Sequence, residues 1–431
     1  MLALDDAIIA KLFPEAGALT LGENFGTFAV SEGASRCSVG IESEEPLRPG
    51  FPTNILLRLE DSSTSLAAAV GMAQVAHSVL PDLVPPFLDL GAVTTSTGRA
   101  VEYSIRELFI NADGVFTLEE VSPLLSTSAK TAIVDQVVTA MEHLQTQAPS
   151  TAVSTIAKLS SARDPSTVAA HDANNISATS GGPSIGFATT AEELLTLLFK
   201  PPQHSHQPPC TLTPLPCGTI RVASAHASDA SSTEDVTVVD FTPSDLAALH
   251  HSTVLCHNNL EPRNILVKHL PGSSATAPKV TLAGIIGWER ASFQPFAVEF
   301  GSKDAALGKH NFDFEWYALF KARSARLLPS GPETEKLLEA MWLYDVACDL
   351  LEPGVRSCLQ RQWMEFYGIE QAEDVRVGWE RGADQQGALP VMVAEEWEIM
   401  QEAVLEEVGL LDEEVLDEIE RVVRAADRAG M

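Results

Sequence analysis

Hydrophobic and polar residues alternate in short runs over the first hundred positions, as is typical of strands. The stretch ALTLGENFGTFAVS, residues 18–31, has two apolar runs around a glycine-containing turn and predicts a β-hairpin. The stretch TNILLRLE, residues 53–60, predicts a buried strand that carries one basic residue, Arg58. A further strand is predicted by AVEYSIRELFI, residues 100–110. We therefore expect a β-rich region at the beginning of the chain.

Helical spacing of apolar residues appears between and after these strands. The stretch SLAAAVGMAQVAHSVL, residues 65–80, predicts a helix that contains no acidic residue. Residues 129–144 and 244–250 predict two more helices. In residues 129–144, five apolar side chains share one helical face and are expected to be buried: Val134, Val137, Val138, Met141 and Leu144.

Three segments depart from these patterns. Residues 148–183 are rich in Ala, Ser, Thr, Asn and Gly, and residues 201–235 are rich in Pro, His, Ser and Ala. Both compositions predict long loops or disordered insertions. Residues 382–420 contain no Lys or Arg, yet apolar residues recur there at helical spacing. This pattern predicts acidic amphipathic helices at the end of the chain.

The charge of the chain excludes some classes of partner. The formal net charge is -31, from 59 acidic and 28 basic side chains. Nucleic acids and anionic membranes both select clustered Lys and Arg, so neither is an expected partner. The first residues lack the basic start of a signal peptide, and no run approaches the ~20 apolar residues that span a bilayer. We therefore expect a cytoplasmic protein, and its six cysteines, none in a CxxC pair, are expected to be reduced.

Two motifs carry candidate chemistry. The first is CHNNLEPRNILV, residues 256–267, and the second is LAGIIGWE, residues 282–289. Together they resemble the aminoglycoside phosphotransferase family of the protein-kinase-like superfamily, and the fungal members are closest in pattern. Those members typically show H-x-D-L-x-P-x-N-I-L-V followed by I-I-D-W-E. The resemblance implies binding of ATP and Mg²⁺ and transfer of a phosphoryl group to a small molecule.

The resemblance assigns roles to four positions in these motifs. His257 matches the histidine of the catalytic loop, and Asn264 matches the metal-binding asparagine. Asn259 occupies the position of the catalytic aspartate, but a carboxamide cannot accept a proton at pH 7. Gly287 occupies the position of the principal metal-binding aspartate and offers no side-chain oxygen to Mg²⁺. Both motifs are therefore degenerate at the positions that matter most for transfer.

The first hundred residues contribute further candidates through the same resemblance. Arg58 falls at the strand position of the phosphate-pairing lysine, but the helix after it has no glutamate to pair with it. Gly22 and Gly26 could let the backbone approach phosphates, or they could belong to an ordinary turn. The hinge that faces an adenine is expected at four consecutive residues: Glu107, Leu108, Phe109 and Ile110.

These observations predict an α+β, protein-kinase-like fold of two lobes. Residues 1–110 form the β-rich lobe, residues 111–380 the larger helical lobe, and residues 381–431 the acidic C-terminal helices. The expected function is that of a catalytically impaired pseudo-phosphotransferase with a residual nucleotide or small-molecule cleft, in which binding of ATP and Mg²⁺ is weakened. An active ATP-dependent small-molecule kinase and a protein-interaction module, with a protein partner, remain alternatives.

Overall fold

The computed structural model describes ten stretches of the chain: residues 2–14, 26–32, 35–61, 66–109, 114–161, 178–201, 208–224, 238–270, 279–351 and 355–382. Within these stretches, no helix has the length and apolar character needed to cross a membrane. The acidic helices predicted after residue 382 lie outside the described residues, as does most of the hairpin predicted at 18–31.

The small lobe is built on a five-stranded antiparallel sheet. Its strand order is β1-β2-β3-β5-β4, which confirms the β-rich lobe predicted from the sequence. The lobe contains the following elements in chain order: α1 (Asp6–Leu12), β1 (Gly26–Glu32), β2 (Arg36–Glu42), β3 (Asn54–Asp61), α2 (Leu66–Val79), β4 (Phe87–Thr94) and β5 (Ala100–Glu107).

The two faces of this sheet have opposite character, because side chains alternate along each strand. One face is apolar: Leu57 of β3 lies opposite Ile105 of β5, and both are fully buried against α1. The other face is polar: Ser38 of β2, Arg58 and Ser104 of β5 lie side by side across three strands. The polar face is turned toward the large lobe.

The large lobe combines helices with short sheets. Its elements in chain order are β6 (Val115–Thr117), α3 (Leu118–Val121), α4 (Thr127–Gln147), α5 (Ala152–Ser161), β7 (Ser180–Gly182), β8 (Gly186–Ala188), α6 (Ala191–Leu198), β9 (Cys210–Pro214), β10 (Ile220–Ser224), β11 (Val238–Phe241), α7 (Pro243–His251), β12 (Thr253–Cys256), β13 (Ile265–His269), β14 (Val280–Ile285), β15 (Ser292–Pro295), α8 (Phe296–Ala306), α9 (Phe314–Ser324), α10 (Pro332–Leu351), α11 (Val355–Phe366), β16 (Ile369–Gln371) and β17 (Trp379–Arg381).

Helix α4 crosses the core of this lobe, as its sequence predicts. The five apolar residues of its predicted face are all at most 5% exposed. Its first turn is capped by the Ser126 hydroxyl, which accepts a hydrogen bond from the Ala129 amide. The neighbouring Ile133 is fully buried in the same cluster. Periodicity therefore identified both the helix and the side that packs.

The expectation of long loops at 148–183 and 201–235 is wrong for parts of both segments. Residues 152–161 form α5, whose Val153 and Ile156 are buried against the core. Residues 210–224 form the hairpin of β9 and β10, which β11 extends to three strands. Small polar residues dominate these compositions, but a few well-spaced apolar side chains give each element a buried face.

Two strand pairs bring the candidate motifs together. Strand β13 pairs with β14, with Ile265 opposite Ile285, and β12 pairs with β15, with Cys256 opposite Ser292. The loop at 257–264 leaves β12 and enters β13, while the loop at 286–291 leaves β14 and enters β15. The two loops therefore emerge side by side from paired strands, beneath the polar face of the small lobe.

Truncation of the α4 core should destabilise the whole protein. We expect Ile133→Ala to lower the free energy of unfolding by about 2–5 kcal/mol, because it opens a cavity at a fully buried site. Thr139→Ala on the exposed face of α4 is the matched control and should change it by less than about 0.5 kcal/mol. Urea unfolding followed by circular dichroism measures both. Equal effects would contradict the placement of α4.

Candidate active site

A buried glutamate holds the first motif loop in place. Glu299 of α8 is 1% exposed, and its carboxylate accepts hydrogen bonds from the backbone amides of His257 and Asn258 at 2.8 and 3.1 Å. Burial raises the pKa of Glu299 against the opposing effects of Lys303 and these two amides. Asn258 has a left-handed backbone, with φ of 60°, which asparagine tolerates better than most residues.

His257 joins the two motif loops and lies in the interior. It is 3% exposed, and its Nε2 lies 2.8 Å from the carbonyl oxygen of Ile286, while its Nδ1 accepts from the Asn259 amide at 3.2 Å. These partners define a neutral ring with the proton on Nε2. Burial lowers the pKa of His257 to about 4, although the bond to Ile286 opposes this effect. The ring therefore acts as a fixed link between the loops at pH 7.

The side chains of Asn259 and Asn264 both have partners within the protein. The Asn259 Oδ1 accepts a hydrogen bond from Arg263 at 3.3 Å. The Asn264 Nδ2 donates to the backbone carbonyl of Asn259 at 2.7 Å, and the Asn264 carbonyl accepts from the Ile286 amide at 2.9 Å. The two carboxamides thus stabilise the first motif loop, and a backbone hydrogen bond joins that loop to the second.

Gly287 provides the space that Asn264 fills. Its φ of +83° is left-handed, and a Cβ added to it would lie 2.6 Å from Oδ1 of Asn264. Aspartate tolerates left-handed backbone better than most residues, so the conformation alone does not exclude an aspartate. Any side chain here must instead displace the Asn264 carboxamide and its hydrogen bond to Asn259. The missing carboxylate and the position of Asn264 are therefore coupled.

Arg58 finds its carboxylates outside α2. It forms a 2.5 Å ion pair with Glu289, from the loop after β14, and a second ion pair with Glu60, two residues along β3. Burial raises the pKa of Glu289, but the nearby Arg58 and Arg106 outweigh that effect and hold the pKa below its usual range. The absence of an acid on α2, visible in the sequence, is thus compensated by an ion pair between the lobes.

A cleft of about 710 Å³ lies between the lobes and brings four of the sequence candidates together. These are Arg58, Asn259, Asn264 and Gly287. Gly26 lies elsewhere, at the end of β1 that is remote from the β1–β2 turn, where it pairs with Glu42. Ser35, which follows the β1–β2 turn, does line the cleft.

Three of the four residues predicted to form the hinge lie at the end of β5 or directly after it. Glu107 ends β5, and Leu108 is buried and donates its amide to the Asn54 carbonyl at 3.0 Å. Phe109 follows it and is half-buried. Ile110, like Gly22, lies outside the described residues. Arg106, which belongs to neither motif, lines the cleft, whereas the described hinge candidates that follow it are not among the lining residues.

The residues at the metal positions do not fit a pair of Mg²⁺ ions. Magnesium in such sites is held by carboxylates together with substrate phosphates. Here Gly287 has no side chain, Asn264 is hydrogen-bonded within the loop, and Glu289 is paired with Arg58. Across the stretches that the structure describes, no group of three or more His, Cys, Asp or Glu side chains could hold a metal ion.

Sequence reasoning missed the buried charges beneath the loops. Lys303 and Glu261 form a 2.7 Å ion pair with side chains only 3% and 5% exposed, and Lys303 also donates to the Leu260 carbonyl at 2.8 Å. Glu299 and Lys303 lie one helical turn apart in α8, a spacing visible in the sequence. That spacing alone does not show which side of α8 faces the loop.

Comparisons with known proteins find structural neighbours only. No protein-family model and no curated protein matches the sequence. A thermostable mutant of the aminoglycoside phosphotransferase APH(4)-Ia, in ternary complex with AMP-PNP and hygromycin B, is 14% identical, covering 86% of this chain and 98% of its own, with a TM-score of 0.43. Choline kinase from Cryptosporidium parvum Iowa II is 10% identical, covering 95% and 96%, with a TM-score of 0.30.

A third neighbour is the spectinomycin phosphotransferase APH(9)-Ia in complex with ADP and spectinomycin. It is 10% identical, covers 81% of this chain and 91% of its own, and has a TM-score of 0.30. At TM-scores below 0.5 and identities of 14% or less, these similarities assign no activity to the chain. Its function must therefore be inferred from the motifs and the geometry of the cleft.

Protonation of His257 should make stability depend on pH. In the unfolded chain its pKa is near 6.5, and in the folded protein it is about 4. Between these values the unfolded chain binds more protons at this position, so the free energy of unfolding falls as pH is lowered from 6.5 to 4. We expect His257→Gln to reduce this slope in urea unfolding between pH 7 and 4.5. An unchanged slope would contradict the buried neutral ring.

The contact between Gly287 and Asn264 can be measured with a matched glycine. Gly50 has the same φ of +83°, but no atom lies within 4 Å of the place that a methyl group would take, so Gly50→Ala reports the backbone cost alone, about 1–3 kcal/mol. We expect Gly287→Ala to cost at least about 1 kcal/mol more, because it also displaces Asn264. In an Asn264→Ala background this extra cost should vanish.

One result of these measurements would contradict the predicted contact. If alanine at Gly287 and at Gly50 lowered the free energy of unfolding equally, Asn264 would not fill the space beside Gly287. The coupling of the two motif positions would then be wrong. Urea unfolding of the four variants and the unmodified chain provides the measurement.

Proposed function

We propose that this protein is a phosphotransferase-like protein of kinase-like architecture whose phosphoryl transfer is strongly impaired and whose cleft binds a small-molecule ligand. The two motifs resemble those of aminoglycoside phosphotransferases, and the fungal members are closest in pattern. The two-lobe arrangement and the pairing of the two motif loops support this resemblance. Such a protein is a pseudokinase: it still binds a nucleotide weakly, but it no longer transfers the phosphoryl group at an appreciable rate.

One observation carries this proposal: among the described residues, the cleft offers no free carboxylate at the positions where base and metal ligands belong. Asn259 replaces the base, and loss of a positioned base costs ~10²–10⁴ in rate. Gly287 replaces the main metal ligand, and the Asn264 carboxamide fills its side-chain space. The nearest acid along the chain, Glu289, is held by Arg58 at 2.5 Å. With the glutamate that is absent from α2, three parts of the transfer apparatus differ from the family pattern: the base, the main metal ligand and the helix glutamate.

The competing proposal, a slow active kinase, has one observation in its favour. Glu289 lines the cleft and is ionised, because Arg58 and Arg106 hold its pKa low. Release of Glu289 from Arg58 would free a carboxylate two residues from Gly287. Such a kinase needs divalent metal for binding as well as for turnover, and this requirement separates the two proposals experimentally.

Turnover of Mg-ATP tests the proposed function. The unmodified chain, incubated with Mg-ATP and a panel of hydroxyl-bearing acceptors that includes hygromycin B and spectinomycin, should form no ADP above an enzyme-free blank. Small-molecule or protein kinases of ordinary activity turn over at ~1–100 per second, so even severe impairment is measurable. Metal-dependent ADP formation above that blank would contradict the proposal and favour the slow kinase.

Restoring the carboxylates provides the positive control. We expect Asn259→Asp combined with Gly287→Asp to bind Mn²⁺ in the presence of ATP, as measured by electron paramagnetic resonance, while the unmodified chain does not. Thr139→Asp adds a carboxylate on the exposed face of α4 and should leave Mn²⁺ binding unchanged. Circular dichroism confirms that each variant is folded at the temperature of the titration.

A further inference from the structure

Arginines are concentrated on the polar face of the small-lobe sheet. Arg58 lies between Ser38 and Ser104 across the sheet, and Arg106 follows Ser104 on the same face of β5. Alternation along β5 places Ile105 on the opposite, apolar face. The strand pattern therefore fixes the direction of both arginines, toward the cleft and away from α1.

The cleft carries an excess of positive charge within a strongly acidic protein. Its described lining contains four arginines (Arg36, Arg58, Arg106 and Arg290) against two glutamates (Glu60 and Glu289), and no Lys or Asp. The chain as a whole has a formal net charge of -31. Charges beyond about 8 Å are largely screened at physiological ionic strength, so an anion in the cleft responds mainly to this local excess.

Arg106 is the cleft arginine that is partly buried and also lacks a directly paired acid in the described residues, whereas Arg36 and Arg290 are exposed. Both glutamates of the cleft pair with Arg58. Within the described residues, the Arg106 guanidinium forms no hydrogen bond or ion pair, although it is only partly exposed. Burial lowers the pKa of Arg106, an effect that the field of Glu289 opposes. A guanidinium stays protonated at pH 7, so Arg106 is a partly desolvated cation that faces a cavity.

The size and chemistry of the cleft select the class of ligand. Its volume, about 710 Å³, lies within the usual range for small-molecule sites. Guanidinium groups bind phosphates through paired hydrogen bonds, and no metal ion is needed for that contact. Ser35 and Ser184 add hydroxyl donors at the cleft rim. Arginines can therefore neutralise phosphate charge in a cleft where the residues do not fit metal ions.

We propose that the cleft binds a polyphosphate group without any divalent metal, and that Arg106 is its principal contact. This inference rests on the proposed function, in which transfer is lost and binding remains, and it adds the ligand class. The polyphosphate can belong to a nucleotide or be free, and both sources share the chemistry that the arginines recognise.

Isothermal titration calorimetry on the full chain tests the inference. Each of two probes, ATP and inorganic tripolyphosphate, is titrated in EDTA and again in excess Mg²⁺. We expect both probes to bind in EDTA, and Mg²⁺ to weaken both, because it neutralises the phosphate charge that the arginines recognise. Tighter binding of ATP than of tripolyphosphate would identify a nucleotide as the natural source. Equal binding would identify the free polyanion.

Arginine variants locate the site. We expect Arg106→Gln to weaken binding in EDTA by about tenfold to hundredfold, because a charge-assisted hydrogen bond is lost. Arg106→Lys keeps the charge and should lose less affinity than Arg106→Gln. It preserves the test if the glutamine variant folds poorly. The matched control is Arg221→Gln. Arg221 is a surface arginine of β10 that pairs with Asp240 of β11, and it lies outside the described lining of the cleft.

Absence of binding in EDTA by both probes, or an unchanged affinity in Arg106→Gln, would overturn the inference. The proposed function would survive either result as long as Mg-ATP turnover stays absent. Binding of ATP alone, with tripolyphosphate inert, would overturn the polyphosphate class in favour of recognition of the base. Metal-dependent turnover would instead refute the proposed function, whatever the arginine variants show.

Discussion

The ion pair between Arg58 and Glu289 determines how charge is distributed between the two lobes. It joins a strand of the small lobe to the loop after β14, at 2.5 Å. Glu289 is the carboxylate nearest in sequence to Gly287, and it is engaged by this ion pair. Arg58 also pairs with Glu60, so one arginine contacts two acids. The consequence is that Arg106 faces the cleft without an acid of its own. One ion pair thus engages the acid next to the second motif and leaves the neighbouring Arg106 without a paired carboxylate in the described residues.

Buried hydrogen bonds and one buried ion pair hold the two motif loops in shape. Glu299 binds two backbone amides of the first loop, His257 links that loop to the second, and Lys303 pairs with Glu261 below them. Removing one partner of a buried ion pair typically costs about 3–5 kcal/mol. Such contacts hold the motif backbone independently of the side chains at Asn259 and Gly287, which accounts for a motif that stays recognisable when those two positions differ from the family pattern.

The sequence predicted the elements whose apolar spacing is regular. Apolar spacing predicts helix α4 and strand β3 with their buried residues, and the two-lobe fold was implied by the resemblance of the two motifs to a known family. The helix α5 and the hairpin of β9 and β10 were missed, because only a few apolar residues within polar composition define their buried faces. Local composition could not reveal that tertiary packing orders these segments.

The sequence likewise predicts some features of the candidate site and not others. The replaced positions Asn259 and Gly287 were visible in the motifs, because the family pattern marks them. The contact of Gly287 with Asn264 and the pairing of Arg58 with Glu289 both depend on residues far apart in sequence. A motif shows which groups are missing, but only the fold shows what has taken their place.

The most direct measurement is a crystal structure of the unmodified chain soaked with ATP and Mn²⁺, with data collected at the manganese absorption edge. We expect phosphate density against the guanidinium of Arg106 and no anomalous peak beside Asn264 or Gly287. One or two anomalous peaks between the phosphates and Asn264, with Glu289 released from Arg58, would contradict a metal-free anion site.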